Sequence, residues 1–100
     1  MRRGTTPTCT LTVDMDLTGW TCYVTLKGAG KKLDLEGGRL AVTAGESSTV
    51  SFTLTQKETL AFKAGKCEVQ LRAVNGGAAV ASDIATMTVE PILRDGVLDG

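Results

Sequence analysis

Residues Thr49–Val74, TVSFTLTQKETLAFKAGKCEVQLRAV, decide the fold. Val50, Phe52 and Leu54 alternate with Ser51, Thr53 and Thr55, the period of two expected of a strand with one buried face. Thr55 then opens a Thr-x-x-Glu spacing, in which Glu58 reaches back to cap a single helical turn. Gly65 allows a left-handed or otherwise sterically restricted corner. Beyond it Cys67, Val69, Leu71 and Ala73 resume the alternation against Glu68, Gln70 and Arg72. Strand, helical turn, glycine corner and strand predict an antiparallel sandwich, and they carry no chemistry of their own.

Outward from this segment the same signals repeat. Cys9, Leu11 and Val13 alternate with Thr8, Thr10 and Thr12, and after a polar loop at Asp14–Gly19 a second strand takes Trp20, Cys22, Val24 and Leu26 inward. Gly28-Ala29-Gly30 reads as a tight turn, Leu33 and Leu35 as a short third strand, and Leu40-Ala41-Val42 as a fourth. Asn75-Gly76-Gly77 is a hairpin turn, and Val80–Glu90 is the last long strand. Ala85, Met87 and Val89 share a face with which Ile84 is out of phase, so a bulge or a crossover between sheets is expected near Ser82-Asp83. The expectation is an all-β, immunoglobulin-like antiparallel sandwich of about seven strands, with one helical turn between the fifth and sixth.

A chain of 100 residues makes a single domain. It divides into an N-terminal arm (1–7), a sandwich (8–90) and a C-terminal arm (91–100), with Pro7 and Pro91 at the borders. Ile92, Leu93, Val97 and Leu98 are too apolar for a solvated tail, so the second arm is expected to dock on its own domain or on a neighbour. Arg2 and Arg3 in the first arm join them as candidate partner-interface residues.

Charge and composition exclude several functions. Eleven basic and 11 acidic residues leave no net charge, so no positive field draws nucleic acid or an anionic membrane. No run approaches the roughly 18 apolar residues of a membrane helix. The basic start Met1-Arg2-Arg3 lacks the apolar core of a signal peptide, so the chain is expected to remain in the cytosol unless assembly carries it elsewhere.

The candidate chemistry is sparse. With no histidine, Ser-His and Cys-His catalysis and His-based metal sites are absent. Cys9, Cys22 and Cys67 fall on the apolar phase of strands and read as small buried hydrophobes, with a Cys22–Cys67 bridge the weaker alternative. Asp14-x-Asp16 lacks the third ligand, glycine placement and terminal Glu of a calcium loop, and reads as an interstrand turn. Gly28-x-Gly30-Lys31-Lys32 joins two strands, without the helix that a phosphate cradle needs. Asp34 and Glu36 share a solvent-facing phase and form no buried acid–base pair. Tyr23 alone is an outward aromatic, too little for a sugar-stacking platform. The expectation is a protein without catalysis, cofactor, metal or small-molecule substrate.

Resemblance goes further. Gly65-Lys66-Cys67-Glu68-Val69 resembles the Gly-x-Tyr-x-Cys start of strand F in immunoglobulin domains, with Cys67 at the tyrosine position and Val69 at the disulfide position. Over nearly the whole chain, RRGTTPT (Arg2–Thr8), TLTQKETLAFKAGKCEVQLRAV and ASDIATMTVEPILRDGVL (Ala81–Leu98) resemble a family of small structural proteins of phages and prophages of Gram-positive bacteria. The core is distantly similar to the immunoglobulin-like N-terminal domain of phage upper baseplate proteins. The resemblance implies a virion, tail or baseplate assembly component found in the particle or in the bacterial cytoplasm during assembly. Its implied partners are other phage structural proteins and copies of itself. The other reading left open is an adhesive module that binds a host-surface glycan or protein through exposed loop residues, for which Tyr23 and Phe62 are the only aromatic candidates.

Overall fold

The computed structural model describes all of residues 1–100 and shows an all-β sandwich of two antiparallel sheets with one short helix. In chain order the elements are β1 (Thr8–Val13), β2 (Thr21–Gly28), β3 (Lys31–Glu36), a 3₁₀ turn (Gly37–Arg39), β4 (Ala41–Thr43), β5 (Ser48–Thr53), α1 (Gln56–Ala61), β6 (Gly65–Asn75), β7 (Ala78–Ala81) and β8 (Ala85–Val89). One sheet has the order β1-β5-β4. In the other the order is β3-β2-β6-β7, with β8 also paired to β6.

The alternation read from the sequence sets the inner faces. In β2, Cys22, Val24 and Leu26 are buried and lie opposite Ala73, Leu71 and Val69 of β6, while Tyr23, Thr25 and Lys27 turn outward. From the other sheet Val50 and Phe52 close over them. Phe62, at the end of α1, is fully buried with Leu54, so the helical turn plugs one end of the sandwich and Phe62 is a core residue, not the exposed contact expected of an adhesive surface. Each such side chain contributes about 1.5–3 kcal/mol on leaving water.

The central segment folds as its sequence predicts. Thr55 accepts from the backbone N–H of Glu58, whose carboxylate accepts from the Thr55 N–H, a complete capping box. Gly65 has φ +134°, with open space where a β-carbon would stand, so backbone conformation and not crowding calls for glycine there. Between Asn75 and Ala78, Gly76 and Gly77 both take positive φ, as a type I′ hairpin turn requires.

Three details differ from expectation. The last long strand is two strands, so the count is eight. Arg72 pairs with Ala81 and Val69 with Ala85, so Gln70 and Leu71 face the three residues Ser82, Asp83 and Ile84. That extra residue is the expected bulge, and it shifts the inward phase from Val80 to Ala85 and Met87 while turning Ile84 outward. The Ser82 N–H donates to the Leu71 carbonyl, and its hydroxyl oxygen accepts from the Leu71 N–H at 3.0 Å. Secondly, Leu17 in the supposedly polar loop is buried. Thirdly, Trp20 precedes β2 and is half-buried, and Leu40 lies outside β4 after the 3₁₀ turn.

Candidate functional site

The candidate interface residues gather at one end of the sandwich, around α1. Met1–Arg3 runs beside the end of β8, where Arg2 and Glu90 form a parallel bridge. The Arg2 guanidinium donates to the Pro91 carbonyl at 2.8 Å and to the Glu90 carboxylate at 2.6 Å. Arg3 reaches further in: its Nε donates to the Phe62 carbonyl at 2.7 Å and one Nη to the Leu60 carbonyl at 2.8 Å. These carbonyls belong to the last turn of α1, where helix geometry leaves acceptors unpaired and the dipole favours a cation. The other Nη of Arg3 meets Asp95 at 2.9 Å. Arg3 thus ties the first arm, the helix and the second arm together.

The C-terminal arm is fastened at three points. Ile92 packs on Gly4 so closely that a β-carbon there would come within 2.9 Å of its Cδ1. Asp95 holds Arg3, and at Leu98 the backbone N–H donates to Gln56 while the carbonyl accepts from it. Between these fastenings the large aliphatics point away from the domain. Leu93 is fully exposed, and Val97 and Leu98 are 57% and 52% exposed. The Arg94 side chain makes no ion pair.

Tyr23 stands apart from the arms. It lies on the outer face of β2, 38% exposed, opposite Glu36 of β3 and Arg72 of β6. The outer face of the other sheet is uncharged: Thr8, Thr10 and Thr12 lie opposite Thr53, Ser51 and Thr49. Thr8 and Thr53 hydroxyls hydrogen-bond each other at 2.8 Å, and Thr10 and Ser51 at 3.0 Å.

All three cysteines are free thiols. Burial raises the pKa of each, which keeps them protonated and poor nucleophiles. Asp16 accepts from both the N–H and the hydroxyl of Thr18, the closure of a tight turn. No three Cys, Asp or Glu side chains converge to hold a metal ion. No helix is long and apolar enough to cross a membrane.

Two features lay beyond the reach of local patterns. One is the pairing of Arg39 with Glu58 through two hydrogen bonds of 2.9 and 2.6 Å, which fastens the 3₁₀ turn to the capping box. The other is a slot of about 420 Å³ between the free edge of β1 and the β7–β8 edge, lined by Leu11, Val13, Met15 and Val80 among others. The phase slip at Ile84 was its one trace in the sequence. No protein-family model matches the chain, and no curated protein matches it.

Proposed function

We propose that this chain is a non-catalytic structural module of a phage or prophage particle, acting in tail or baseplate assembly through protein–protein contacts. The observation that carries the reading is the C-terminal arm. It is anchored at Ile92, Asp95 and Leu98, yet it leaves Leu93 fully exposed and Val97 more than half exposed. A segment held in place with its aliphatics outward suits a surface that becomes buried in a partner. The resemblance of Arg2–Thr8, Thr53–Val74 and Ala81–Leu98 to small phage structural proteins supports the same reading and supplies the class of partner.

The test is direct. After prophage induction in a host that carries the gene, sedimentable particles are purified and their peptides identified by mass spectrometry. The chain is expected at a fixed ratio to tail or baseplate proteins. Its confinement to the soluble lysate, away from both particles and assembly intermediates, would sink the proposal.

A further inference from the structure

The slot between the two sheets leaves part of the core thinly covered. On β5 the inward residues Ser48, Val50 and Phe52 are buried, whereas on the neighbouring β1 the inward Cys9, Leu11 and Val13 are only half-buried. Across the opening, Val80 and Met87 are half-buried as well, and Ala85 is exposed. The cause is topological. β1 pairs only with β5 and β7 only with β6, and the outer edge of β8 is met only at its far end, by Met1–Arg3. Along the slot the two sheet edges therefore face each other without hydrogen bonds between them. The slot floor is apolar, with Leu11, Val13, Met15, Leu71 and Val80. At its rim stand Asp14 and Asp83, neither in an ion pair.

The opposite chemistry sits on the C-terminal arm. Leu93-Arg94 projects between the anchors at Ile92 and Asp95, an uncovered aliphatic beside an unpaired cation. An apolar floor with an acidic rim is complementary to that pair.

We infer that Leu93 and Arg94 of one copy insert into the β1/β7–β8 slot of a second copy, Leu93 against Leu11, Val13 and Val80, and Arg94 between Asp14 and Asp83. Resting on the assembly role proposed above, this assigns that role a self-contact and gives it a place. The chain's own arm does not serve. Leu93 lies three residues past Glu90, a reach of about 10 Å. The bulge at Ser82–Ile84 begins about 20 Å up the strand from Glu90, at about 3.3 Å per residue. Because the arm keeps its anchors, the backbone of the knob is already ordered, and binding has only the two side chains left to fix. Knob and slot are different surfaces, so the contact is head-to-tail and builds a ring or a filament instead of closing as a two-fold dimer.

The experiment uses the full chain in sedimentation velocity over a concentration series, with thermal melts of every variant. Arg94→Asp and Asp83→Arg are each expected to weaken self-association by about tenfold or more, and the double variant to recover much of the loss. A photo-reactive residue at position 93, in a mixture of isotopically light and heavy chains, is expected to capture Leu11–Met15 or Val80–Ile84 of another copy. Three results overturn the inference: a monomer at every concentration, association unmoved by the charge variants, or capture of a different surface. None of these removes the chain from purified particles, so failure here remains distinct from failure of the assembly role.

Discussion

Ser48 shows how a single hydroxyl positions a loop. It is fully buried, donates to the Met15 carbonyl at 2.8 Å and accepts from the Leu17 N–H at 3.0 Å. These bonds hold the Asp14–Gly19 loop so that Leu17 turns into the core, which is why a loop of polar composition contributes a core residue. Ser48→Ala leaves a buried donor and a buried acceptor unpaired. It should lower unfolding free energy by about 1–3 kcal/mol, read from urea denaturation, with the far-UV spectrum unchanged. The cysteines belong to the same scale. Their place on the apolar phase was legible in the sequence, and in the structure all three remain free, Cys22 and Cys67 buried and Cys9 half-buried.

Among the elements, α1 is the one whose sequence signature was complete. Its six residues are too few to persist alone, and the capping box holds it only together with tertiary contacts. Arg39 and Arg3 supply these at its two ends, one on Glu58 and the other on the Leu60 and Phe62 carbonyls. The Arg39 guanidinium, donating to Glu58, holds that carboxyl below its ordinary value, and the Thr55 backbone N–H adds to the effect. The folded state therefore binds this proton less readily than the unfolded chain. The stability Glu58 contributes is complete above its ordinary value, and it is lost as pH falls through the depressed folded-state value. Glu58→Gln should cost about 1 kcal/mol at neutral pH. It should also flatten the decline in urea midpoint between about pH 6 and about pH 3. An equal decline in both proteins would count against the pairing. Elsewhere, the hairpin at Gly76-Gly77 and the corner at Gly65 were readable because glycine at positive φ is a local requirement. The break between β7 and β8 was readable only as a phase slip, since which neighbour absorbs an extra residue depends on pairing across the sheet.

At the scale of the whole molecule, the radius of gyration is 14.4 Å. A compact chain of this length would have about 13 Å, so the sandwich is elongated, with its arms at one end and its open slot along one side. Arg3 and Leu93, one in each arm, are expected to behave oppositely. Arg3→Ala removes three hydrogen bonds to the helix end and Asp95, so it should lower the melting temperature clearly. Leu93→Asp changes a side chain that touches nothing in the isolated chain, so its stability should stay within about 0.5 kcal/mol of the parent. Differential scanning calorimetry of the two variants separates a fastening residue from a presented one. A large loss with Leu93→Asp would mean that the arm is folded into its own domain.

The sequence by itself determined the class of fold, the placement of most strands, the capped turn, the glycine corners and the inward phase of the three cysteines. Each of these follows from residues a few positions apart, through side-chain period, backbone sterics or a local hydrogen bond. It also marked both arms as candidates, because four large aliphatics in a short terminal segment are conspicuous without any neighbours. Only the tertiary structure decided that Leu17 is core, that Arg39 grips Glu58, that Arg2 and Arg3 are fastened to their own domain, and that β1 and β7–β8 leave a slot between them. Those features join residues far apart in the chain. Their partners are set by how two sheets stack and where each sheet ends, which no local pattern encodes.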